Sequence, residues 1–247
     1  MKRSAAWLIS RGMLPLALLV LPAASPRQAE SWTLDNLDRI GGRPVTVEST
    51  PQVICWTGGK AIAFDGVDDR LVVKGRPLVG VTRFTIEALI RPEGGVTEQR
   101  FLHLAETNPQ TGADVTHTET THDTNNRIMF ELRSSPAGFF IDGYLKSRAG
   151  DVALAVPAKI HPNGAWYVLS QTYDGAVYRT YVDGVLQGEV TTPFLPQGPG
   201  NVGIGSRLNK ESYFKGAIAR LRFSERALSP REFMKAPRKA TDKACPR

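Results

Sequence analysis

The feature that most constrains this chain is a run of short apolar and aromatic segments in its last third, each closed by a residue that tolerates positive φ. Trp166-Tyr-Val-Leu-Ser-Gln-Thr-Tyr-Asp-Gly, Tyr181-Val-Asp-Gly-Val-Leu and Tyr213-Phe-Lys-Gly-Ala-Ile-Ala-Arg-Leu-Arg-Phe follow one another closely. Such pieces read as half-buried antiparallel strands joined by tight turns, with Asp183-Gly184 the strongest hairpin signal. Upstream, segments rich in Val, Ile, Thr and Phe predict further strands over residues 45–49, 61–64, 70–73, 84–91, 100–105, 128–134 and 139–146. The run itself supplies strands over residues 166–173, 177–182, 185–191, 201–205 and 216–223. Alternation is clearest where Phe84, Ile86, Ala88 and Ile90 interleave with Thr85, Glu87 and Arg91, predicting one buried and one wet face. One helix is expected over 229–235, where Ser229, Pro230 and Glu232 form a capping box. Without other helical periodicity an α/β enzyme is disfavoured, and the chain reads as all-β. The segments 106–126 and 147–163 read as long irregular connections.

The N-terminus places Lys2, Arg3 and Arg11 before an apolar run from Met13 to Leu21 and the small residues Ala23, Ala24 and Ser25. That order is a secretory signal, expected to occupy residues 1–28, and it predicts a secreted or periplasmic protein. The apolar run is too short to span a bilayer, and no later segment offers an anchor. A domain over 29–235 and a basic tail over 236–247 would remain. Export would bring Cys55 and Cys245 into an oxidising compartment, where they could form a disulfide; the alternative is two separate thiols. The formal charge of +7 is concentrated in the signal and the tail, leaving a mildly basic domain. For an exported chain this points to acidic polysaccharides or a membrane surface rather than nucleic acid.

Several motifs in sequence order carry a resemblance. Gly59-Lys-Ala-Ile-Ala-Phe-Asp-Gly-Val-Asp-Asp-Arg, Phe84-Thr-Ile-Glu-Ala-Leu-Ile-Arg-Pro, the hairpins from Trp166 to Leu186, Asn201-Val-Gly-Ile-Gly-Ser and Arg226-Ala-Leu-Ser-Pro are among them. Together they resemble the laminin-G-like jelly-roll domains of the concanavalin A-like lectin and glucanase superfamily. The resemblance implies a two-sheet antiparallel jelly-roll sandwich, here with one short C-terminal helix. It implies little about chemistry, because that fold hosts lectins, hydrolases, lyases and adhesion modules. Gln171 stands where the family commonly has a small apolar residue, so it either joins a polar network or faces a ligand groove.

Calcium is held near the rim by many domains of that superfamily, and Asp65, Asp68 and Asp69 could supply oxygen ligands. The competing reading makes them turn formers. His117, Glu119, His122 and Asp123 fit no familiar zinc spacing. A third constellation spans the middle strands: Glu98, Arg100 and His103, then Glu131 and Arg133, then Tyr144 and Lys146. If these strands are neighbours, their polar faces form a groove, with Gln171 as a further candidate for it. As a binding site, the groove would hydrogen-bond sugar hydroxyls or carboxylates while Tyr144 stacks on a ring. In a polysaccharide lyase acting on an acidic polymer, His103 or Tyr144 would take the C5 proton. For a glycosidase, Glu98 and Glu131 would be the carboxylate pair. Two non-catalytic alternatives are a solvated face of cross-strand ion pairs and a structural module that binds protein.

Overall fold

The computed structural model describes residues 29–114, 126–237 and 240–245. In chain order the strands are β1 (Glu30–Thr33), β2 (Arg39–Ile40), β3 (Arg43–Glu48), β4 (Gln52–Trp56), β5 (Gly59–Asp65) and β6 (Arg70–Lys74). Then come β7 (Phe84–Pro92), β8 (Glu98–Glu106), β9 (Arg127–Ser135), β10 (Gly138–Ser147), β11 (Gly150–Ala155) and β12 (Tyr167–Tyr173). Finally there are β13 (Val177–Val182), β14 (Val185–Thr191), β15 (Gly200–Ile204), β16 (Lys215–Ser224) and β17 (Asp242–Lys243). They form two antiparallel sheets. One is ordered β14-β13-β12-β7-β16-β5-β4-β17, with β1 also paired to β16; the other is ordered β11-β10-β9-β8-β15-β6-β3-β2.

Period-two alternation builds the sandwich. Phe84, Ile86 and Ile90 of one sheet meet Phe101, Phe130 and Ile141 of the other in one continuous core. Asp183 and Gly184 both adopt positive φ, 49° and 81°, as a two-residue turn between β13 and β14 requires. Gly143 is constrained by close approach: a Cβ there would lie 2.3 Å from the Tyr178 hydroxyl across the core.

Three expectations need correction. The face of β7 expected to be wet is covered, because Thr85 and Glu87 are fully buried beneath the chain after β16. There the Thr85 hydroxyl donates to Arg226 O and accepts from Leu228 N. Second, the expected helix over 229–235 is a single turn. Ser229 N and Oγ both donate to the Glu232 carboxylate, so the capping contacts form. The turn stops because Met234 N donates to Glu87 Oε1 rather than to a preceding carbonyl, and Phe233 is buried against Tyr181. Third, the connection over 147–163 contains β11, an edge strand paired along β10.

The C-terminal segment is docked in its described part. β17 pairs with β4, and Cys55 is bonded to Cys245 as a disulfide. Met234, Ala236 and Ala240 pack on a second apolar cluster built around Trp56 and Trp166. No helix among the described residues is long and apolar enough to cross a membrane.

Candidate functional site

Strands β8, β9, β10 and β11 lie side by side, so their registers decide which side chains meet. Phe130, Leu132, Ile141 and Leu145 point into the core. Their neighbours in sequence therefore form the outer face. Arg100 lies opposite Glu131, which lies opposite Asp142. Glu98 lies opposite Arg133, and His103 opposite Met129, which is opposite Tyr144. Arg127 lies opposite Lys146.

Glu98, Arg100, Glu131 and Arg133 are brought together in a cross-strand ion-pair ladder. Arg100 Nη1 donates to Glu98 Oε2 at 2.9 Å, and its Nε lies 3.2 Å from Glu131 Oε2. Arg133 Nε donates to Asp142 Oδ2 at 2.6 Å, and its guanidinium also pairs with Glu98. Burial raises the Glu131 carboxyl above its ordinary range, opposed by Arg100. Hydrogen bonds from Arg133, then Arg100, hold Glu98 below its ordinary range although burial opposes them. The same two guanidiniums thus link both carboxylates.

Beside this ladder Tyr144 is half-buried and held on two sides. The Arg127 guanidinium carbon lies 4.7 Å from the ring centroid. The hydroxyl donates to Asp151 Oδ2 at 3.1 Å and accepts from Arg127 Nη2 at 3.3 Å. Opposite Tyr144 on β11 stands Ala153, and Asp142 is opposite Ala155. Both alanines are exposed, so the ring borders an open strip at the sheet edge. Lys146 lies half-buried on the same face.

His103 and Gln171 are not surface groups. The connection from Ser206 to Phe214 folds over the outer face, where Arg207 O and Leu208 O accept from Arg70 Nη1 at 3.0 Å each. His103 sits beneath it, 2% exposed, and its Nδ1 accepts from Leu208 N at 3.0 Å. Desolvation, then the Arg207 charge, lowers its pKa well below 6.5, so the imidazole is neutral. Gln171 shares its side of β12 with Leu169 and Tyr173 and points between the sheets, where its carboxamide oxygen accepts from the Tyr178 hydroxyl. It therefore belongs to an interior polar pair, the network alternative for this residue, and lies away from the ladder.

Carboxylate oxygens of Asp65, Asp68 and Asp69 come within 4.8 Å of one another. Asp65 Oδ1 accepts from the backbone of Val67, Asp68 and Asp69. Asp69 accepts from Thr50 N and Asp65 N, and Asp68 from the Ser49 hydroxyl. These hydrogen bonds close the turn between β5 and β6. His117, Glu119, His122 and Asp123 lie outside the described residues. Asp142, Asp151 and Arg127 are the site members that the sequence reading missed. Asp142 occupies the same alternating positions on β10 as Tyr144 and Lys146, a signal masked by its turn-like Asp-Gly pair.

Residues 65–233 match the laminin-G-type family described as the Concanavalin A-like lectin/glucanases superfamily. No curated protein sequence matches the chain. Among solved structures, it resembles domain 4 of AbnA, an extracellular arabinanase from Geobacillus stearothermophilus, in complex with arabinotriose. That match has a TM-score of 0.58 at 17% identity and covers 84% of this chain and 97% of that one. The binding domain of botulinum neurotoxin DC in complex with SialylT matches with a TM-score of 0.57 at 10% identity, over 83% of this chain and 49% of that one. The NanB sialidase of Streptococcus pneumoniae gives 0.52 at 15%, over 64% of this chain and 25% of that one. At these identities the likeness is one of fold.

Proposed function

The chain belongs to the concanavalin A-like lectin/glucanases superfamily, and on that premise we propose that it is an exported module that binds glycans on the outer face of its eight-stranded sheet. The observation that carries this reading is Tyr144, fixed by Arg127 and Asp151 beside exposed alanines and next to a charged ladder. A ring held in advance loses little freedom when a sugar packs against it. Glu98, Arg133 and Lys146 supply donors and acceptors for hydroxyls at its side. Arabinotriose and SialylT, bound to proteins of similar fold, support the ligand class. The Cys55–Cys245 disulfide and the N-terminal charge pattern support export.

Binding is favoured over turnover because the groups chemistry would need are otherwise engaged. His103 is buried and holds the Leu208 N–H, so it cannot meet a C5 proton. The Tyr144 hydroxyl is engaged by Asp151 and Arg127, and burial raises its pKa, which disfavours the phenolate a base would need. Glu98 and Glu131 are bridged by guanidiniums, which leaves no place between them for a glycosidic bond. The test is a glycan array followed by titration of the best ligand with wild type, Tyr144→Ala and Arg133→Ala. Each substitution is expected to weaken binding about tenfold or more, with no new reducing or unsaturated ends. Retention of full affinity in both variants, or turnover by the wild type, would overturn the reading.

A further inference from the structure

The nine-stranded sheet forks. Along one edge of β16, residues 215–218 pair with β5, whereas Arg220 to Phe223 pair with β1. The change of partner falls at Ala219, where β16 also slips register against β7 between Ile218 and Arg220. Strands that leave a shared neighbour in this way cannot close the surface between them, and a cleft of about 540 Å³ opens at the fork. Its floor is apolar, formed by Trp56, Leu89 and Ala219. One face of the Trp56 indole is stacked on Trp166, with ring centroids 4.2 Å apart. Gly58 permits this placement, since a Cβ at that position would lie 2.2 Å from the indole ring.

The rim of the cleft is cationic. Lys60 comes from the start of β5, Arg220 from β16, and Lys235 from the segment that follows the turn after Ser229. Asp35 is the sole carboxylate among the lining residues. Among the described residues, neither the Lys60 nor the Arg220 side chain has a carboxylate partner; Lys235 Nζ donates to Pro230 O at 3.2 Å. This contrasts with the opposite face, where each of Arg100 and Arg133 is matched by carboxylates.

We propose that this fork cleft is a second ligand site, for a sugar that carries a carboxylate or sulfate group. The three cations would hold the anion, and Asp35 and Thr33 at the rim would meet hydroxyls. The apolar floor would accept the C–H face of the ring. Exposed cations act through a screened field, so binding here falls with salt.

The experiment titrates the disulfide-bonded protein with three probes: a galacturonic acid hexamer, a heparin-derived hexasaccharide and uncharged maltohexaose. Trp56 emission and calorimetry are the readouts. Binding of either charged probe, weakened by salt and reduced about tenfold or more in Lys60→Glu/Arg220→Glu, is the expected result. The milder Lys60→Ala/Arg220→Ala variant, checked for an unchanged unfolding midpoint, guards against a folding defect. Comparing the two charged probes separates a carboxylate from a sulfate preference. The Tyr144→Ala protein is titrated with the same probes: loss confined to Lys60→Glu/Arg220→Glu assigns the charged-probe site to the fork cleft, whereas loss confined to Tyr144→Ala assigns it to the Tyr144 face and overturns the proposal. Absence of binding by both charged probes, or equal affinity in the folded charge-reversed variant, overturns the proposal.

Discussion

The Tyr178 hydroxyl donates to the Gln171 carboxamide oxygen in the interior between the sheets, where both residues are fully buried. Gly143 of the opposite sheet leaves space for that hydroxyl. Burial raises the phenol far above its ordinary pKa, so it remains a donor at every physiological pH. Tyr178→Phe or Gln171→Leu alone leaves one polar partner stranded and is expected to cost about 1–3 kcal/mol. The double variant should lose clearly less than the sum, and neither change should alter glycan binding. Urea unfolding of the four proteins checks the coupling. Strict additivity would mean that the pair does not act as a unit.

Glu87 is a charge placed under the chain that follows β16. Its side chain has no exposure, and it accepts from Arg222 and from Met234 N. Glu87→Ala would leave a guanidinium and a backbone N–H without their acceptor, at a cost of about 3–5 kcal/mol. Glu87→Gln keeps an acceptor for Met234 N and should cost less. Equal losses in the two variants, measured by denaturant unfolding, would argue that the backbone contact is immaterial.

How far the sequence reads depends on whether a residue's environment is local. Expected strands such as 84–91, 128–134 and 139–146 lie within β7, β9 and β10 because their alternation is set by one covering core. Opposite Arg100, Glu131 is likewise reachable from alternation once the strands are neighbours. Strand β11 is hard to read locally because Gly150–Ala155 offers only two half-buried apolar residues, Val152 and Leu154, and gains its order by pairing along β10. The burial of His103 depends on Leu208, more than one hundred positions away, and no local pattern announces it. Nor does local sequence reveal that Glu87 takes the N–H that would have extended a helix after Ser229. The fork cleft is the extreme case, since it exists only where two strands, β1 and β5, divide one edge of β16 between them.

Cys55 and Cys245 are separated by 190 residues in sequence, so their bond constrains nearly the whole unfolded chain. The chain-entropy account gives an upper value of about 5 kcal/mol for such a loop. For a domain of this size that corresponds to a fall of up to about 10–20 °C in the unfolding midpoint on reduction. The core between the sheets does not include either cysteine. Reduced protein and Cys245→Ser should therefore fold with native near-ultraviolet circular dichroism. Freed from its anchor, the segment over Trp56 and Trp166 should open more often, so acrylamide quenching should rise. An unchanged midpoint on reduction would show that the bridge adds nothing to stability.

His103 makes stability depend on pH in a defined direction. In the folded protein, burial and then the charges of Arg207, Arg127, Arg76 and Arg100 lower its pKa well below 6.5. The unfolded chain titrates near the ordinary value, so below about 6.5 it binds a proton that the folded state does not. Stability then rises with pH in that range and is lost on acidification, by up to about 1.4 kcal/mol per pH unit from this group. Above 6.5 both states carry a neutral imidazole and the contribution vanishes. His103→Asn retains an acceptor for Leu208 N but has nothing to protonate. Its unfolding free energy should be flatter than the wild type's between pH 7 and about 5, and the difference between the two proteins should shrink or reverse as pH falls. Parallel pH profiles would show that His103 takes up a proton in the folded protein.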